Sequence, residues 1–84
     1  MAKVTLKLFA LLGRHLPPGS VANATEVDMA EESDIGALIA HFGLSDKDCH
    51  LVLLNGAFVP PDARTSTRLS PGDTVSIWPP IGGG

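Results

Sequence analysis

Two hydrophobic periods alternate along the chain, and the switches between them mark its elements. From Lys3 to Phe9 every second residue is apolar, with Val4, Leu6 and Leu8 on one face and Lys3, Thr5 and Lys7 on the other. That is the period of a half-buried strand. Ala10 to Leu16 has room for a short turn of helix before Pro17-Pro18-Gly19-Ser20 breaks the chain. Alternation resumes over Thr25 to Met29 with Val27 and Met29 inward, which predicts a second strand antiparallel to the first. The period then changes: Ile35, Leu38, Ile39 and Phe42 stand at i, i+3, i+4 and i+7, one face of a helix. Asp34 precedes them as an N-cap, Gly43 follows where a left-handed cap belongs, and Leu44 can fold back on the last turn. A capping box is missing, because Gly36 stands three residues after Ser33 in place of Glu or Gln.

Leu51-Val52-Leu53-Leu54 is a continuous apolar run, followed by Asn55-Gly56 and then Ala57-Phe58-Val59. Asn and Gly both accept φ > 0, so this is a hairpin signal with a mechanism. Pro60-Pro61-Asp62 stops the second arm, Ala63 to Thr67 reads as polar and irregular, and Leu69-Ser70-Pro71-Gly72-Asp73 returns the chain through a turn. The last strand, Thr74 to Trp78, places Val75 and Ile77 inward and Ser76 and Trp78 outward. The order is strand, strand, helix, strand, strand, strand. A helix between two hairpins must cross the sheet to bury its stripe, and the final strand belongs beside the first. The fold class is α+β, a roll.

Composition narrows the function classes. Eighty-four residues make one domain with a modest core, and 44% hydrophobic against 18% charged residues is a globular balance. The net charge of −3 and six scattered Lys and Arg argue against nucleic acid as the main partner. A single cysteine, Cys49, excludes an intrachain disulfide and, with no Cys/His cluster, the usual zinc or iron–sulfur sites; it reads as a small, partly buried residue before a strand. The apolar run Leu8 to Leu12 is too short for a membrane span and lacks a cleavage site, so a cytoplasmic protein is expected.

The candidate chemistry lies at Pro79-Pro80-Ile81-Gly82-Gly83-Gly84. Two prolines without N–H groups end the sheet ladder, and three glycines without Cβ atoms make a thin segment that can approach another backbone or a nucleotide. A phosphate-cradling glycine loop would need a helix after it, and none follows Gly84. Two readings stand: a terminus without a role, or a threading tail that presents a carboxylate.

Leu54-Asn55-Gly56, Val59, Leu69 with Pro71-Gly72-Asp73-Thr74-Val75, and Ile77-Trp78-Pro79-Pro80-Ile81-Gly82-Gly83-Gly84 together resemble the MoaD/ThiS family of ubiquitin-like sulfur carriers, over nearly the whole chain. The resemblance implies a β-grasp (ubiquitin-like) roll, a mixed sheet of four to five strands with one main helix packed across it, spanning residues 1–79, with a flexible tail over 80–84. It implies a carrier without activity alone. An adenylyltransferase of the ubiquitin-activating type would spend ATP on the Gly84 carboxylate, and a sulfur donor such as a cysteine desulfurase or sulfurtransferase would displace AMP to leave a thiocarboxylate. Gly82 and Gly83 would thread the partner's channel, and no cofactor would be bound by the chain itself. The Pro-Pro before the tail favours the molybdopterin synthase small subunit, docking on a large subunit, in molybdenum cofactor biosynthesis. A thiamine thiazole carrier working with thiazole synthase, another thiolation carrier, a protein modifier and a plain interaction module are the alternatives.

Around the tail, Trp78 with Phe9 and Phe58, and Pro79, Pro80 and Ile81 after it, form a candidate partner-binding patch. The bland reading of Trp78 is a cap on the core. Arg14, Arg64 and Arg68 read as solvated surface residues, and His15, His41 and His50 lack metal-ligand spacing. Glu31, Glu32 and Asp34 are a favourable charge at a helix start.

Overall fold

Val4, Leu6 and Leu8 are each no more than 1% exposed, and the strand that carries them, β1 (Ala2–Leu8), is flanked on both sides. The structure is a computed structural model and describes residues 1–80. β2 (Ala24–Met29) pairs antiparallel with β1, Val4 opposite Val27, and β5 (Thr74–Trp78) pairs parallel with it, Leu6 opposite Val75. β3 (Leu51–Leu54) runs antiparallel to β5 and is closed at the sheet edge by β4 (Ala57–Phe58). The order β2-β1-β5-β3-β4 puts the last strand at the centre. Parallel neighbours need a crossover, and the helix α1 (Ile35–His41) lies within the segment that makes it. This is the α+β roll that the periodicity predicts, with the mixed sheet and one main helix that the family resemblance implies.

The core forms where the inward parities meet. Val4, Leu6, Leu8, Val52, Val75 and Ile77 from the sheet pack with Ile35, Leu38 and Ile39 from α1, and Met29, Leu44, Val59 and Leu69 close the edges. Asn55 (φ 51°) and Gly56 (φ 88°) both take the left-handed conformation that a two-residue hairpin requires. The Asn55 amide does more than turn the chain: its Nδ2 donates to Asp73 Oδ1 at 2.9 Å and its Oδ1 accepts from the Thr74 N–H at 2.8 Å. An Asp there could accept but not donate.

Both ends of α1 carry caps. Asp34 Oδ1 accepts from the Ala37 N–H at 2.8 Å, as expected of the N-cap. The two donors before it are taken by backbone from the far loop: Ile35 N–H to Thr67 O and Gly36 N–H to Arg64 O, each 3.1 Å. With Asp34 as the N-cap the capping-box position is Ala37, which has no polar side chain to reach back. A Cβ at Gly36 would lie 3.0 Å from Thr65 Cγ2 and 3.2 Å from Asp34 Oδ1, so Gly36 leaves room for the loop that supplies the caps. At the other end Gly43 (φ 71°) donates to Ala40 O and Leu44 donates to Ile39 O, the paired bonds of a Schellman motif. A capping box does occur elsewhere, between Ser45 and Asp48 at the 3-10 turn Asp46–Asp48, which the periodic reading passes over. A further 3-10 turn, Pro61–Ala63, leads into the stretch Ala63 to Thr67 read as irregular, which folds back through Thr67 Oγ1 to Ala63 O at 2.7 Å.

Candidate functional site

The central position of β5 determines where its C-terminal end emerges. Ile77 lies between Leu8 of β1 and Val52 of β3, and the Phe9 N–H bonds to Ile77 O at 3.2 Å. The last carbonyl of the strand, that of Trp78, accepts from the His50 N–H at 3.0 Å. Pro79 and Pro80 then follow with no N–H to give to either neighbour, so the ladder ends there. Pro79 is half-buried and Pro80 exposed. Ile81, Gly82, Gly83 and Gly84 lie outside the described residues.

Around this exit the outer face of the sheet is apolar on one side. Trp78 points away from buried Val75 and Ile77, and its ring stacks on Phe9 with centroids 4.3 Å apart and planes within 2°. Leu51 stands opposite Trp78, Leu53 opposite Ser76, and Phe58 opposite Leu53, so Phe58 shares this face and is 59% exposed. Across the sheet the same face turns polar, through Lys3, Thr5 and Lys7 on β1 and Glu26 and Asp28 on β2. An apolar area with a polar border has the anatomy of a docking surface. The structure thus brings Phe9 and Trp78 into contact and sets Phe58 two strands away on the same face.

On the helix side of the sheet, Arg64 corrects the expectation of a solvated surface residue. It is 4% exposed, and its Nη2 donates to the Cys49 carbonyl at 2.6 Å. Its Nε is buried without a partner among the described residues. Cys49 is buried as well, and burial pushes its thiol above the usual range, against a smaller opposing pull from Arg64 and with help from Asp48 and Asp46. A thiol held neutral is a poor nucleophile, which suits a packing role. Nothing in the local sequence marks Arg64, because its partner carbonyl lies fifteen residues away. Arg68 forms an exposed ion pair with Glu32 at 3.0 Å, of the kind that contributes little. Among the described residues there is no group of three or more His, Cys, Asp and Glu that could hold a metal ion. None of the helices among them is long and apolar enough to cross a membrane.

The family model described as the ThiS family matches residues 17–84. No curated protein matches the chain. Among solved structures, SAMP1 from Haloferax volcanii is 26% identical with a TM-score of 0.68, covering 99% of this chain and 100% of that one. A thiamine biosynthesis protein, ThiS, from Geobacter metallireducens is 22% identical with a TM-score of 0.61, covering 95% and 99%. The complex of subunits 1 and 2 of the molybdopterin-converting factor from Helicobacter pylori 26695 contains a chain 20% identical with a TM-score of 0.60, covering 98% and 99%. The likeness to the last two is one of fold.

Proposed function

We propose that this chain, which belongs to the ThiS family, carries sulfur as a thiocarboxylate on Gly84 and delivers it to a biosynthetic acceptor held by a second protein. The observation that carries the reading is the exit geometry. A strand clamped on both sides ends at two prolines beside an exposed apolar face, so one partner can grip the face and receive the segment that follows. A carboxylate is a poor electrophile until it acquires a good leaving group. Its oxygen attacks the α-phosphorus of ATP in the activating partner, pyrophosphate leaves, and a sulfur nucleophile at hydrosulfide level then expels AMP from the acyl carbon. The chain itself supplies no catalytic group to these steps; it supplies the substrate carbon and the surface that positions it.

For the acceptor we favour the molybdenum cofactor precursor, with the chain as small subunit of a molybdopterin synthase-type complex. Pro79-Pro80 before the tail supports this, as does the fold shared with a subunit of the molybdopterin-converting factor complex. The likeness to ThiS and to SAMP1 supports a thiazole carrier or a protein modifier as the second reading. The decisive measurement is the intact mass of the untagged protein after incubation with ATP, cysteine and an extract of its source organism. A species heavier by exchange of one oxygen for sulfur, absent when Gly84 is deleted, is expected. An unchanged mass, in an extract that thiolates a known carrier, would remove the proposal, and a ladder of larger conjugates would favour the modifier.

The docking face makes its own prediction. Trp78→Ala removes the stacked ring beside the exit and is expected to weaken partner binding by about tenfold or more, the loss typical of an aromatic anchor. Calorimetric titration of the activating enzyme checks this, and unchanged affinity would return Trp78 to the role of a cap on the core.

A further inference from the structure

On the helix side of the sheet, a cavity of about 420 Å³ opens between α1 and the two 3-10 turns, Asp46–Asp48 and Pro61–Ala63. Arg64 lines it together with Lys47, His50, Cys49 and Asp46. Arg64 is the feature that demands an explanation. A guanidinium keeps its charge at any ordinary pH and carries five N–H donors. Here it is 4% exposed and its Nη2 bonds to one backbone carbonyl, while among the described residues its Nε has no partner and no carboxylate stands within ion-pair distance. Burying a charge without a counter-charge is costly, and a neutral donor would serve as well if the Cys49 carbonyl were the whole purpose.

The remaining lining agrees in sign. Lys47 adds a second cation and Asp46 is the one carboxylate, while Asp48 is turned to the Ser45 hydroxyl at 3.0 Å. Burial holds the Cys49 thiol neutral, so it brings no negative charge. A cationic cavity therefore sits in a chain of net charge −3, the opposite of its background. We propose that this cavity is a binding site for a small oxyanion of the phosphate or carboxylate type, with Arg64 as its fixed cation and Lys47 closing over it. The volume is ample, since a water takes about 30 Å³. His50 joins the cavity to the end of β5 through its bond to Trp78 O, so a bound anion braces the same exit from the helix side. The inference rests on Arg64 and its surroundings and stands whether or not Gly84 carries sulfur.

The test is a titration of the full-length, ¹⁵N-labelled protein with inorganic phosphate, with ionic strength held constant by chloride. Saturable shifts are expected at the amides of Gly36, Lys47, His50 and Thr65 and at the Arg64 Nε–H. Lys47→Gln, which removes an exposed charge, is expected to lower the affinity by about two- to fivefold with the spectrum otherwise intact. Arg64→Lys keeps the charge but loses the fork, and the expected loss is about tenfold. Should that variant fail to fold, Lys47→Gln decides alone. Parallel titrations with AMP and acetate identify the source: tighter binding of AMP at the same residues means a phosphate ester, and of acetate a carboxylate. Shifts that grow linearly and match those in chloride, or an affinity unmoved in every variant that folds, would overturn the site.

Discussion

An alanine appended after Gly84 is expected to abolish thiocarboxylate formation by more than about a hundredfold while leaving the fold unchanged. The added residue carries its own carboxylate, so the loss comes from geometry. One residue of extended chain moves the reacting carbon by about 3.5 Å, and a misplacement of about 1 Å in a reacting pair already costs on the order of a hundredfold. The new methyl group would also stand where Gly84 has only hydrogen. Among the described residues the buried cluster ends at Ile77, so the core is expected to be indifferent to the addition. Intact mass over time, beside a thermal melt of both proteins, separates the two effects. Thiolation of the extended chain at the normal rate would mean that the tail is not threaded, and the carrier reading would go with it.

Ile77→Ala, one residue before Trp78, is expected to show the opposite phenotype. Ile77 is fully buried between Leu8 and Val52 at the centre of the sheet. Truncation removes apolar contact and leaves a cavity in a place where two clamped strands cannot collapse, at a cost of about 2–5 kcal/mol. Against the about 5–15 kcal/mol of a whole domain that is a large fraction. In a domain of this size it corresponds to a melting temperature lower by about 10 °C or more. Its side chain points away from the proposed docking face, so partner affinity of the folded fraction is expected to hold. Urea denaturation together with binding at low temperature checks both halves. A variant that keeps its stability but loses its partner would mean that the faces of β5 have been assigned the wrong way round.

The contrast between these neighbours was legible from the order of residues. Val75 and Ile77 alternate with Ser76 and Trp78, and a strand has only two faces. Asp34 before the stripe of α1, Gly43 after it and Asn55-Gly56 between two apolar runs were equally legible. Each is a local device whose parts lie within a few residues of one another. What the loop from Arg64 to Thr67 does was not legible. It has no period, and its purpose is to meet the first turn of α1, where Thr67 and Arg64 carbonyls cap the helix and Gly36 leaves the room for them.

By itself, then, the sequence determined the strands and the main helix, their order, which of their residues face inward, and the Gly-Gly-Gly segment that bears the proposed chemistry. Tertiary structure alone decided three things. Phe9 and Trp78 meet because β1 and β5 run parallel and end together. Phe58 joins their face through the registers of β3 with β5 and β4. Arg64 is buried because closing the roll folds its loop over the Cys49 carbonyl. These contacts link residues that have no neighbours in common along the chain. Only the assembled sheet and the loops packed on it bring these residues together, and for Arg64 burial changes what the group can do.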